Sequence, residues 1–165
     1  MHDQIIINKK YAEAVKGIKE EWLKTTDSRW YDYVVGLPAD LQVTYLVVVV
    51  HNQVFNGGVH QYFLNGYGQF AKETISALTK ISALKRAELL VKALKIVNRE
   101  NDPDHVFREK LLKKDLRSLF IDDDLFEPLN QFDVQYYAHD DRGEEDIVQL
   151  LTNYLQDHEA HDREG

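Results

Sequence analysis

Apolar residues recur along most of the chain at helical spacing. Tyr11, Val15, Ile18 and Trp22 mark one amphipathic stripe, with Lys and Glu on the other side, and predict a helix through that stretch. Leu84, Ala87, Leu90, Val91, Leu94 and Val97 mark a second, with Glu88 four residues before Lys92 on its wet face. Asp102-Pro103-Asp104 has the form of an N-cap followed by proline at the first helical position, and predicts a short helix through Phe107 and Leu111. Ile147, Leu150, Leu151, Tyr154 and Leu155 mark the last helix. Glu144, Glu145 and Asp146 stand in its first turn, where acids suit the helix dipole. Its outer positions, Gln149, Thr152, Asn153 and Gln156, are neutral.

The run LQVTYLVVVV is ambiguous. Its β-branched residues favour a strand. Yet Pro38-Ala39-Asp40 opens it like a helix, and Leu41, Tyr45, Val48, Asn52 and Phe55 fit one helical face. No second strand of comparable quality exists to pair with it, and a lone strand is not stable. A buried helix is therefore expected. The predicted fold is all-α: a single domain over residues 1–165, with about seven or eight helices packed around a neutral, aromatic-rich central helix pair. Short acidic loops are expected at Asp122–Asp124 and His139–Gly143, and residues 159–165 read as a frayed acidic tail.

Composition narrows the class. With 44% hydrophobic and 29% charged residues, the chain has the balance of a globular domain with a proper core, not of a disordered one. The absence of cysteine removes disulfide scaffolds, thiolate metal sites and cysteine nucleophiles. The start, MHDQIIINKKYAEAV, has no long apolar stretch behind a basic segment, so no signal peptide is expected. The most apolar run, Tyr45 to Val50, is far too short to span a bilayer. The expectation is a cytoplasmic protein with no membrane contact.

Charge is distributed unevenly. Residues 1–100 carry 13 Lys+Arg against 10 Asp+Glu, a net of +3, whereas residues 101–165 carry 7 against 18, a net of -11. A surface of that kind repels nucleic acid and favours basic partners. Between Asp40 and Lys72 there is no Asp, Glu, Lys or Arg, which points to the buried heart of the domain.

Within that neutral centre lies FNGGVHQYFLNGYG, residues 55–68, with half of the chain's glycines. Gly66-Tyr67-Gly68-Gln69-Phe70-Ala71 fits G-x-G-x-x-A in form. That pattern binds dinucleotides only at a strand-to-helix turn, and here it follows a helix. The glycines read better as turns: Asn56-Gly57-Gly58 ends one helix with a left-handed residue and opens the next, and Gly66 and Gly68 repeat this after a short helical piece from Val59 to Leu64. Asn56, Gln61 and Asn65 are expected to bond to the turn backbone. The alternative is a polar-floored pocket walled by Tyr62, Phe63 and Tyr67, open to a small ligand.

No H-E-x-x-H motif occurs. His51 and His60 lie in the neutral centre with no carboxylate within ten residues. They read as hydrogen-bonded core histidines rather than general bases. His158 and His161, among Asp157, Glu159 and Asp162, read as a solvated tail rather than a metal site. No catalytic, cofactor or metal residue is assigned.

The central stretch also carries a likeness. Asn56-Gly57-Gly58, then Gln61-Tyr62-Phe63, Asn65 and Gly68, resembles the N-G-G-x-x-Q-Y-F-x-N-x-x-G core of the bacterial DNA-mimic protein family. Ala77-Leu78 with Ile81-Ser82-Ala83, Phe132-Asp133 with Tyr136-Tyr137, and Leu150-Leu151 with Tyr154-Leu155 resemble later pieces of the family in the same order, over roughly residues 20–158. Gln53 stands where the family often has an acid, and Ser82 replaces a glycine.

The resemblance implies an all-helical domain without established enzymatic activity. It implies an acidic surface that presents carboxylates as a duplex presents phosphates. The residues available for such a surface are Asp122, Asp123, Asp124, Asp140, Asp141, Glu144, Glu145 and Asp146, all in expected loops and caps. The same acids also suit plain helix caps and solubilising turns, and both readings stand. The partner is expected to be a basic protein, a DNA-binding regulator or alternatively a toxin or nuclease blocked by an immunity-type protein. Direct binding of nucleic acid is not expected, and a homo-oligomer is left open.

Overall fold

The computed structural model of the chain describes residues 2–141 and 145–164, with side chains except at 139–141 and 162–164. The elements are α1 (His2–Val15), a 3-10 turn (Glu20–Lys24), α2 (Arg29–Val35), α3 (Ala39–Leu64), a second 3-10 turn (Tyr67–Phe70), α4 (Ala71–Lys80), α5 (Leu84–Val97), α6 (Asp104–Leu112), the single-turn α7 (Arg117–Phe120), α8 (Phe126–Asp141) and α9 (Ile147–Glu164). Among the described residues, eight of the helices exceed one turn, in one domain. The all-helical expectation holds.

α3 is the axis. The strand-prone run is helical because α1, α4, α8 and α9 all pack on it, burying Val43, Val47 and Val50 on one side and Leu41, Tyr45 and Val49 on the other. A helix apolar all round belongs inside, and burial there outweighs β-propensity. The single face expected from Leu41 to Phe55 is therefore too narrow: Asn52 and Phe55 reach solvent while Val43 and Leu46 do not.

Several boundaries differ from the sequence reading. The helix expected through Trp22 stops at Val15, because Tyr33 of α2 intervenes. Its hydroxyl donates to the Ala14 carbonyl (2.7 Å) and accepts from the Gly17 N–H (3.2 Å). Its ring also fills the space that a side chain at 17 would need. α6 begins one residue later than expected, at Asp104. Asp102 does not cap it but takes a 2.7 Å ion pair from Lys110. α8 continues to Asp141, so His139–Asp141 are helical rather than loop. α9 continues to Glu164 and takes in most of the stretch read as a frayed tail. Thr152, read as an outer position, is buried.

Candidate partner-binding surface

The glycine motif works as a break in α3. Gly58 has φ +85° and ψ 175°, a backbone state that essentially only glycine holds. Val59 opens the second half-helix, and its N–H donates to Asp133 Oδ1 of α8 at 2.7 Å. A carboxylate from a distant helix thus caps the new N-terminus. One turn ahead of the break, the Tyr137 hydroxyl donates to the Val54 carbonyl at 2.7 Å. The piece Val59 to Leu64 is the short helix expected from the sequence. Gly66, at φ +88°, makes the left-handed turn after it. Gly68 packs so closely on Phe63 that a Cβ would enter the ring.

The polar motif residues behave differently from expectation. Gln69 supplies the side-chain bond to the turn backbone, from Nε2 to the Gly66 carbonyl at 2.9 Å. Asn65 instead donates to Gln53 Oε1 (3.1 Å) on the surface, Gln61 is half-buried and Asn56 is exposed. The pocket walled by Tyr62, Phe63 and Tyr67 is absent. Tyr62 and Phe63 are 1% and 0% exposed, and the Tyr62 hydroxyl lies 3.3 Å from Thr74 Oγ1. The cavity beside Tyr62 has about 10 Å³, room for one water and no ligand. Burial raises the Tyr62 phenol well above its ordinary range. Tyr67 lines a separate surface groove with Tyr11 and Tyr45.

The fold gives His51 a hydrogen-bond partner, and brings His60 close to a carboxylate without hydrogen-bond geometry. His51 Nδ1 lies 2.9 Å from the Tyr136 hydroxyl. His60 Nε2 lies 3.2 Å from Asp123 Oδ1, with Phe126 edge-on to its ring. Asp133, beside Val59, is held above the ordinary carboxylate range by burial, offset in part by the Val59 N–H and by nearby His60.

The acids assigned to a surface fall into three groups. Asp122, Asp123 and Asp124 form an exposed loop between α7 and α8, tied at three points: Asp122 to Arg117 Nε (3.1 Å), Asp123 to His60 and Asp124 to Arg99 (3.8 Å). Asp123 sits at φ +52°, which aspartate tolerates better than most residues. Asp146 is exposed and caps α9, its Oδ1 accepting from the Gln149 N–H at 3.1 Å. Glu145 must be withdrawn from the surface set. It is 6% exposed, and its carboxylate accepts from the Lys85 N–H (2.6 Å) and the Arg86 N–H (3.2 Å), capping α5. Buried Arg86 answers with Nη1 3.4 Å from Glu145 Oε1 and lies 4.6 Å over the Tyr136 ring. The α5 N-terminus offers orphan N–H groups, and the segment before α9 meets them with the nearest acid. Asp140 and Asp141 end α8, with side chains outside the described residues, and Glu144 lies outside the described residues altogether.

Sequence reasoning missed both buried ionic groups. Arg86 lies four residues before Leu90 and seven before Ala93, on the apolar stripe of α5. Asp133 shares a face with Leu129 and Tyr136. A charge on an apolar stripe was the available signal.

The family model described as DMP19-like protein matches residues 35–158. The chain belongs to the DMP19-like family. The match spans three quarters of the sequence and contains the Gly58 break, the acidic loop and α8, while α1 and the first 3-10 turn lie ahead of it. It agrees with the likeness carried by Asn56-Gly57-Gly58 and the residues after it. No curated protein and no solved structure matches the chain. Among the described residues, no helix is long and apolar enough to cross a membrane, and no cluster of metal-ligating side chains is present.

Proposed function

We propose that this DMP19-like protein is a non-enzymatic interaction protein that occupies a basic, DNA-binding protein in place of nucleic acid. Family membership carries the reading, and the charge asymmetry supports it: 18 Asp+Glu against 7 Lys+Arg after residue 100. A duplex presents one charge per about 1.7 Å of axis, and a carboxylate surface competes with it by Coulomb attraction to the same cations. The exposed Asp122–Asp124 loop and Asp146 are the described acids best placed to contribute.

The test is capture of proteins from the native host on immobilised protein, eluted across a salt series and by duplex DNA. The expected outcome is a basic protein whose retention falls steeply with salt and is lost to competing duplex. Retention indifferent to both salt and duplex refutes the reading.

A further inference from the structure

We infer that the partner docks on the paired outer edges of α3 and α8 through an apolar anchor flanked by Lys or Arg, with Asp123 and Glu127 at one end of that strip holding the basic flank. The inference rests on the proposed function and adds where and with what chemistry the partner binds. Five of the eight large hydrophobic residues left exposed, Phe55, Leu64, Ile121, Phe126 and Val134, lie on α3, on α8 or in the loop that leads into α8. They are not scattered. Phe55 packs on Tyr137 (ring centroids 4.9 Å apart) at one end, and Phe126 packs on His60 (5.5 Å) at the other. Leu64 follows His60 by one turn and shares its face, while Phe126, Asn130, Val134 and Tyr137 follow one another at helical spacing along α8. Between the two ends, Asn56 and Gly57 are exposed.

Phe55 is 46% and Val134 65% exposed, the exposure of contact residues awaiting cover rather than of core. The strip offers no cation of its own. No Lys or Arg occurs between Asp40 and Lys72, and α8 carries Glu127, Asp133, Asp140 and Asp141 without a Lys or Arg. At the Phe126 end stand Asp123 and Glu127. An apolar floor with an acidic end is complementary to an apolar segment with a basic flank, and repels an acidic one.

The test uses ¹⁵N-labelled protein titrated at low salt with three peptides: an amphipathic Leu/Lys helix, oligolysine of equal charge, and the Leu helix with Glu in place of Lys. The expected result is that only the Leu/Lys peptide binds tightly, shifting resonances of residues 55–64 and 126–137. Phe55→Ser should weaken it roughly fivefold or more, as loss of an anchor does. Val134→Ser, at a position exposed enough to leave folding intact, should weaken it in the same direction. Oligolysine binding as tightly as Leu/Lys, shifts elsewhere, or unchanged affinity in Val134→Ser overturns the inference and leaves the electrostatic reading standing. If neither cationic peptide binds, both fall.

Discussion

Adjacent glycines in the Asn56-Gly57-Gly58 motif should respond to alanine very unequally. At Gly58 the backbone is at φ +85° and ψ 175°, so any Cβ costs about 1–3 kcal/mol in strain. That Cβ would also collide with Asp133 Oδ2, while Oδ1 of the same carboxylate holds the Val59 N–H. Displacing the carboxylate forfeits the cap, worth about 1 kcal/mol or slightly more. The expected cost of Gly58→Ala is therefore about 3 kcal/mol, a large share of the roughly 5–15 kcal/mol typical of a domain. At Gly57 the backbone is helical, and the new Cβ would meet only half-buried Gln61, whose amide can swing away while its Cβ, 2.9 Å off, needs a small shift of the helix. Relief of the glycine penalty in a helix returns about 0.5–1 kcal/mol against that shift, so Gly57→Ala should cost far less than Gly58→Ala. Urea unfolding followed by far-UV circular dichroism measures both. A double mutant with Asp133→Ala separates the terms: once the carboxylate is gone the collision is gone, so the two changes should fall short of additivity by about 1 kcal/mol. Equal costs at 57 and 58, or strict additivity with Asp133→Ala, refute the account of the break.

Two further outcomes follow from the buried carboxylates. Glu145→Ala strips the α5 cap and the ion pair from buried Arg86, and should cost about 3–5 kcal/mol in urea unfolding; a cost below about 1 kcal/mol would return Glu145 to the surface acids. Asp133 is raised on folding, so its contribution is present below the unfolded value near 4 and is lost as pH rises through the folded one. Asp133→Asn keeps an oxygen for the Val59 N–H and does not ionise, so its stability relative to wild type should improve from acid to neutral pH, and a flat or falling difference contradicts the burial argument.

The helices were legible where one face is wet and the other dry. α5, α6 and α9 show this, because amphipathic spacing is a direct image of burial. α3 was legible in kind but not in orientation: a helix covered on nearly every side has no stripe to read. The end of α1 was illegible because it is set by Tyr33, a hydroxyl supplied from the next helix, and not by a local stop signal beyond Gly17. The candidate surface divides in the same way. Asp146 caps the helix that follows it and was readable as local chemistry. Glu145, its neighbour in sequence, serves α5 some sixty residues back, and adjacency could not reveal that. The glycine turns were readable because positive φ selects the residue type. The acid that the break requires, Asp133, was not, since the break and its cap are brought together only by packing of α8 on α3.

The loop Asp122–Asp124 bears on how such a surface can act. Each of its aspartates is held by a basic side chain from a different part of the chain: Arg117 beside it, Arg99 after α5 and His60 in α3. Exposed pairs of this kind contribute about 0–1 kcal/mol each, so they do little for global stability. What they do is hold three carboxylates in place, and a partner that meets an ordered loop loses less in ordering it. The same ties reduce the charge on offer. A partner's arginine arriving at Asp122 exchanges one exposed ion pair for another, which is close to neutral. Net attraction must then come from acids less well compensated. Those include Asp146, at the start of α9, and Glu127, beside exposed Phe126, neither of which has an ion pair among the described residues. Part of the unbalanced charge therefore lies against the apolar strip, and a partner gains by engaging the two together.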